Sequence, residues 1–356
     1  MKKTLYISTV SLVCGGAERV ISILSSQFAK NFDQVKIFIW LDKPIFYPID
    51  NSIEIINITQ RCQSNNLFLK MLWFRNFIKK NPPSAILSFL AKSSIPVIYS
   101  TRYLPPKIII AERNDPRNLK GGYIMRKIRD FTYNFADAIL EQTNNNKNYF
   151  KGKKFAKTSV IFNPVFMDNS LVGSALNTPK SNIIVNVGRL EPQKDQKTLI
   201  KAFAIFHKKH PEYKLYIYGE GNERAELERL INELNLFQQV LLPGSIENIF
   251  ECIKKAKAFV LTSKFEGMPN ALIEAMCLGL PCISTKVSGA TDLIQNNING
   301  KLVNIGNVDE IVSALTSIIE NDTESYALGN NATQLYEKLN VSIISKEWIN
   351  YINKFV

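Results

Sequence analysis

Four side chains in the second half of this 356-residue chain have types and spacing suited to a charged, hydroxyl-rich ligand. They are Arg189 and Lys194 in VGRLEPQKDQKTLI, and Glu266 and Glu274 in FEGMPNALIE. The two carboxylates stand eight positions apart, with a Gly267-Met268-Pro269 turn after the first and Ala271-Leu272-Ile273 leading into the second. A chain that turns there and then coils for about two turns aims both acids into one crevice. Backbone N–H groups at the helix start lie between them and suit a phosphate or sugar hydroxyls. Arg189 and Lys194 fall between a strand and a helix, where a planar fork and a point charge suit a diphosphate. One acid for sugar hydroxyls, one for a ribose diol, and two cations with a helix dipole for the diphosphate together describe a nucleotide-sugar site. The plain alternative is a set of solvated loop cations and helix-face acids. Against it, the cations stand at the end of a strand, and Glu274 lies among Ile273, Ala275 and Met276 on an otherwise apolar helix. A carboxylate there needs a partner or a ligand.

The first half offers weaker signals. Gly15-Gly16-Ala17-Glu18-Arg19 follows an apolar run and opens a helix, so the Gly16 backbone is placed to approach a phosphate. Two glycines are not the three-glycine dinucleotide fingerprint, which argues against an NAD enzyme. Glu112-Arg113-Asn114-Asp115 ends an apolar strand, where polar clusters commonly face a ligand. The segment 65–80, NNLFLKMLWFRNFIKK, mixes aromatic and basic residues and reads equally as an interfacial helix or as a core helix with a solvated basic edge.

The elements that must position these groups alternate strand and helix. Strands are predicted at 3–11, 34–41, 84–90, 107–112, 137–142 and 157–162, with helices at 67–80 and 122–135. Residues 168–180 lose periodicity, as a linker does, and a fresh series of strand–helix units starts at Asn182. Short-looped β–α units imply parallel sheets with helices on both faces, and ligands at the carboxyl ends of the strands. The reading is therefore two doubly wound α/β lobes, 1–165 and 182–340, with a C-terminal helix in 341–356 packing back on the first lobe through Trp348 and Tyr351.

Charge separates the halves. Residues 1–163 hold 25 Lys and Arg against 10 Asp and Glu, whereas residues 164–356 hold 19 against 21. A basic half can meet nucleic acid, an anionic membrane or a phosphorylated substrate. No helix-turn-helix, zinc-finger or RNA-binding signature accompanies it, so nucleic acid is set aside. Five cysteines without a C-x-x-C pair read as reduced, mostly buried thiols of a cytosolic protein. With His207 and His210 alone, a His-based metal site or triad is close to excluded. The Lys2-Lys3 start imitates a signal peptide but fits a first strand better, and no 18-residue stretch is free of charge.

The motifs together resemble the retaining glycosyltransferases of family 4, which have the GT-B fold of two Rossmann-like lobes facing a central cleft. The resemblance runs through the Gly15-Gly16 turn, ADAILEQT, IFNPV, VGRLEPQKD, YGEGNERAELERL, LPGSIEN and FEGMPNALIEAMCLGLPCIST. It implies that Glu266 and Glu274 form an E-x7-E element, Glu274 taking the ribose hydroxyls and Glu266 those of the transferred sugar. Arg189 and Lys194 would neutralise the leaving diphosphate. The backbone of Gly267, Met268, Pro269, Asn270 and Ala271 would approach sugar and phosphate, and Ile246 would lie near the base. Many relatives carry a His at the position of Arg113, and this first lobe has none. That argues against an enzyme imidazole and leaves Glu112 and Arg113 to bind an acceptor or a phosphate. The family's chemistry, front-side attack with the leaving phosphate taking the acceptor proton, asks the enzyme mainly for electrostatic stabilisation and for no divalent metal or other cofactor. The resemblance thus implies sugar transfer, HexNAc or hexose, from a UDP-sugar to a lipid-diphosphate-linked glycan for O-antigen, lipopolysaccharide, capsule or related polysaccharide. The site would lie at the cytoplasmic face of the membrane, with the first lobe meeting acceptor and anionic lipid. The alternatives are another GT-B reaction, such as a nucleotide-sugar epimerase or phosphorylase, and a catalytically silent partner of a membrane assembly complex.

Overall fold

The computed structural model describes residues 2–119 and 121–356. They form two compact units, one running through Phe166 and resuming at Leu339–Val356, the other Met167–Lys338. The first is built on a seven-stranded sheet of β1 (Thr4–Thr9), β2 (Gln34–Ile39), β3 (Glu54–Asn57), β4 (Ala85–Phe89), β5 (Lys107–Ala111), β6 (Ala138–Glu141) and β7 (Thr158–Val160). Their order is β3-β2-β1-β4-β5-β6-β7 and every pairing is parallel. Strands such as β5, KIIIA, read as continuous apolar runs because helices cover both faces.

The C-terminal helix Val341–Ile352 belongs to this first unit. Ile344, Trp348 and Ile352 recur every fourth residue and are buried, so one stripe faces inward. Trp348 stacks on Phe89 of β4 at 5.9 Å between ring centroids and meets Phe28 of the Gly16–Asn31 helix edge-on at 6.4 Å. Asn340 caps the helix by accepting from the Ile343 N–H at 3.1 Å.

The second unit carries a six-stranded parallel sheet of β8 (Ile183–Val187), β9 (Lys214–Tyr218), β10 (Val240–Gly244), β11 (Ala258–Leu261), β12 (Cys282–Thr285) and β13 (Lys301–Val303). The order β10-β9-β8-β11-β12-β13 places β8 beside both β9 and β11. The chain winds one way after β8 and the other way after β11, so the topological switch point lies between their carboxyl ends.

Two expectations are corrected, and one element was not foreseen. Residues 168–180 are not a free linker. They form 3-10 turns at Asn169–Leu171 and Ser174–Asn177 that bury Ala175, and the Gly173 N–H donates to the Cys277 carbonyl at 2.9 Å. Residues 91–101, where no element was predicted, form a helix with Pro96 at its sixth position, which leaves the Lys92 carbonyl without its i+4 N–H partner. Of the five cysteines only Cys277 and Cys282 are buried, while Cys14 is exposed and Cys62 and Cys252 are half-buried. No helix among the described residues is long and apolar enough to cross a membrane.

Candidate functional site

Two loops meet at the switch point of the second unit: Gly188–Asp195 after β8, and the residues 262–269 after β11. Backbone and side-chain bonds lace them together. The Lys264 N–H donates to the Gln193 carbonyl at 2.8 Å, and Gln193 Nε2 returns a bond to the Phe265 carbonyl at 2.8 Å. The Thr262 hydroxyl reaches the Lys194 and Asp195 carbonyls, each at 3.1 Å. Asp195 takes a left-handed φ of 50°, which Asp tolerates better than most residues, and opens the Gln196–His207 helix.

This lacing brings Lys194 and Glu266 into contact. Lys194 Nζ lies 2.5 Å from Glu266 Oε1, and the Ser263 hydroxyl donates to the same oxygen at 2.7 Å. Gln193 Nε2 reaches Glu266 Oε2 at 3.4 Å, so both carboxylate oxygens have a donor. Glu266 keeps 7% of its surface exposed, enough for a ligand to approach one edge of a carboxylate that is otherwise fixed. Charge-assisted bonds of this kind hold a side chain in a single orientation. Arg189 stands exposed at the end of β8, with its carbonyl tied to Gln196 Nε2 at 3.0 Å. An exposed cation on the same loop as the paired Lys194 suits an anionic ligand that can displace or share the lysine.

Glu274 lies on the helix Asn270–Leu278, where every residue from Leu272 to Leu278 is buried. The helix opens after Pro269, whose carbonyl accepts from the Leu272 and Ile273 N–H groups at 3.1 and 3.2 Å, and so it starts directly at the turn that carries Glu266. Glycines set how closely the backbone packs here. A Cβ at Gly289 would lie 2.5 Å from the Gly267 carbonyl oxygen and 2.6 Å from Pro269 Cδ. One at Gly219 would lie 2.0 Å from the Gly188 carbonyl oxygen, at a φ of 138°. Ile246, following β10, is 39% exposed.

The first-unit residues are placed differently. Gly16 is exposed at the start of the Gly16–Asn31 helix. Glu112 and Arg113 are buried, at 3% and 5% exposure, inside a polar network. The Tyr133 hydroxyl donates to Glu112 Oε2 at 2.8 Å, while Arg113 Nη2 donates to Asn163 and its guanidinium lies 5.6 Å from the Trp348 ring. Burial pushes the Glu112 carboxyl up, against the pull of Arg129. Burial also lowers the Arg113 guanidinium, to about 9, against the charges of Glu141 and Glu112, so it stays protonated at neutral pH. Burial, with the neighbouring Glu112, pushes Glu141 well up.

Sequence reasoning missed Gln193, Ser263 and Gly289. Gln193 precedes Lys194, and Ser263 is three residues before Glu266, a spacing that a turn closes; Gly289 leaves no local signal because the backbone it admits is more than 20 residues away. Among the described residues no cluster of three or more His, Cys, Asp or Glu is arranged to hold a metal ion.

Residues 173–335 match the family model of the glycosyl transferases group 1, and so include both strand-end loops and both glutamates. Across 99% of its length the chain is 29% identical to a Campylobacter jejuni enzyme, covering 98% of that protein. Its name is GalNAc-alpha-(1->4)-GalNAc-alpha-(1->3)-diNAcBac-PP-undecaprenol alpha-1,4-N-acetyl-D-galactosaminyltransferase. It is 25% identical over 95% of its length to an amylovoran biosynthesis glycosyltransferase of Erwinia amylovora, covering 96% of it. The crystal structure of Anabaena HepE in complex with UDP and glucose superposes with a TM-score of 0.82 at 18% identity, covering 99% of this chain and all of that one. The paired loops at the switch point are thus those of a glycosyl transferases group 1 domain, and the chain is a glycosyltransferase with the GT-B fold.

Proposed function

We propose that the chain is a retaining transferase of the family 4 type that moves a sugar, HexNAc first and hexose second, from a UDP-sugar to a lipid-diphosphate-linked glycan. The observation that carries the donor half is the Lys194–Glu266 pair at 2.5 Å, with the exposed Arg189 on the same loop as Lys194. Lys194 and Arg189 take the diphosphate, and Glu266 is freed to hold hydroxyls of the transferred sugar. Glu274 takes the ribose hydroxyls, Ile246 lies against the base, and the Gly267-to-Ala271 backbone with Gly16 approaches the sugar and phosphates. With two cations and helix N–H groups on the leaving diphosphate, the departing phosphate takes the acceptor proton and no divalent metal is called for.

The acceptor half rests on the relatives. The Campylobacter jejuni protein is named for an undecaprenyl-diphosphate-linked glycan, and the Erwinia amylovora one for amylovoran biosynthesis. Assembly of O-antigen, capsule or a related polysaccharide at the cytoplasmic face of the membrane follows. Glu112 and Arg113, buried as they are, serve the acceptor by holding the strand ends of the first unit in place. The test is release of UDP or GDP from a panel of UDP- and GDP-sugars with lipid-diphosphate saccharides, for wild type and Glu274→Ala. Acceptor-dependent release from one donor, lost in the variant, is expected. Equal release by both proteins would refute the site, and release without a transferred product would favour an epimerase.

A further inference from the structure

The helix Gly122–Thr132, GYIMRKIRDFT, is packed inside out. Of its residues only Arg129 and Thr132 are buried. Tyr123, Ile124, Ile128 and Phe131 are exposed by 63%, 72%, 40% and 60%. Ile124, Ile128 and Phe131 recur at helical spacing, and Phe135 in the following turn extends the same stripe. Arg129 faces inward because partners wait for it. Its Nε and Nη2 reach Asp130 Oδ1 at 3.0 and 2.7 Å, and Nη1 reaches the Pro116 carbonyl at 2.8 Å. Asp130 travels with Arg129 on the same helix, but turning the helix to bury its apolar stripe would break the bond to the Pro116 carbonyl and pull Asp130 from the Tyr149 hydroxyl. The isoleucines and phenylalanines are therefore left on the surface as one contiguous apolar stripe.

The charges beside the stripe say what suits it. Arg126 and Lys127 lie over the Tyr123 ring at 5.5 and 5.3 Å, and Arg102 lies over Phe135 at 3.9 Å and over Tyr103 at 5.0 Å. The one acid on the helix, Asp130, is occupied by Arg129 and by the Tyr149 hydroxyl at 2.5 Å. Exposed aromatic and branched apolar residues flanked by unneutralised cations match the boundary between acyl chains and anionic headgroups. The segment 65–80, which reads equally as an interfacial or a core helix, also exposes Leu67, Phe68, Leu69 and Leu72 but has fewer free cations beside them. Lys70 is buried and donates to the Trp40 carbonyl at 2.9 Å, and Arg75 donates to the Ser100 and Arg102 carbonyls at 2.8 and 3.1 Å.

We propose that the Gly122–Thr132 face, with Arg102, Tyr103 and Phe135, is the surface by which this chain docks on an anionic lipid bilayer. The proposal rests on the reading that the acceptor is lipid-anchored, since docking would hold the enzyme where such acceptors are. The test is sedimentation of the full chain with phosphatidylcholine vesicles, with and without phosphatidylglycerol. We expect at least about tenfold more binding to the anionic vesicles, reversed by 1 M salt. Ile124→Glu/Phe131→Glu should lose that binding while keeping its melting temperature and its UDP release with a water-soluble, short-chain acceptor. Leu67→Ser/Phe68→Ser should keep most of the binding. Wild-type protein that ignores anionic vesicles, or a double variant that binds them normally, would overturn the proposal. So would a dimer in wild type that the double variant abolishes, because a second copy would then be the occupant. If vesicle binding behaves as expected but no donor is turned over, the docking surface stands and the transferase assignment of the site fails.

Discussion

Lys194→Met tests the core of the site. The change removes the Nζ that lies 2.5 Å from Glu266 Oε1 and leaves that carboxylate with Ser263 at 2.7 Å and Gln193 at 3.4 Å. The side chains of Lys194 and Glu266 are only 16% and 9% exposed, so a lone Glu266 charge is poorly solvated. Truncating one member of a fully buried pair costs about 3–5 kcal/mol. Two neutral donors remain and the lysine end touches solvent, so about 2–3 kcal/mol is expected here. For a unit of this size that is a melting-temperature drop of about 5–10 °C. If Lys194 also carries leaving-group charge, kcat/KM for donor should fall by about 10²–10³, the usual cost of removing one preorganised stabilising group. The assay pairs thermal unfolding with UDP release at saturating acceptor, for Lys194→Met, Glu266→Gln and the double variant. The double should be more stable than the summed singles by about 1–3 kcal/mol, because neither charge is left alone. Additive losses in stability would refute the pair. Turnover within about threefold of wild type would refute the role at the diphosphate.

Three further outcomes are expected. Gly289→Ala places a Cβ against the Gly267 carbonyl and Pro269, 2.5 and 2.6 Å away; it should cost about 1–3 kcal/mol and weaken donor binding in titration, and unchanged donor affinity would show that the turn is not held from behind. Trp348→Ala removes a fully buried ring stacked on Phe89 and should destabilise the first unit by about 3–5 kcal/mol in denaturant unfolding; a loss under about 1 kcal/mol would mean the C-terminal helix docks without it. Burial raises Glu141 well above its ordinary 4.5, so the folded state keeps a proton that the unfolded chain releases, and stability must fall as pH rises from about 4.5 toward the raised value. Glu141→Gln should flatten that fall, its advantage absent at pH 4 and growing toward pH 8; parallel melting-temperature curves would contradict this.

The alternation of strands and helices was legible in the sequence because each parallel strand is covered on both faces and leaves a short apolar run. Glu266, Glu274, Arg189 and Lys194 were legible because charged groups at strand ends and on apolar helices are conspicuous. Other parts were hidden for physical reasons. Residues 91–101 contain Pro96, which removes a helical N–H and speaks against a helix in any local reading. Residues 168–180 are polar and aperiodic, yet their backbone bonds to Cys277, a partner no local window contains.

What the sequence determined by itself was local: periodicity, turn chemistry, and the types of group available for a diphosphate and sugar hydroxyls. Tertiary structure decided which of those groups meet. Gln193 and Ser263 hold Glu266 only because two loops adjoin at a switch point of the sheet. Tertiary structure also decided which face of the Gly122–Thr132 helix looks inward. Its periodicity would bury the isoleucines, but the Pro116 carbonyl binds Arg129, the Tyr149 hydroxyl binds Asp130, and the isoleucines turn out. A side chain's type is written in the chain, whereas the partners that satisfy it are brought from a distance, and a buried charge outweighs an apolar stripe when only one can face in.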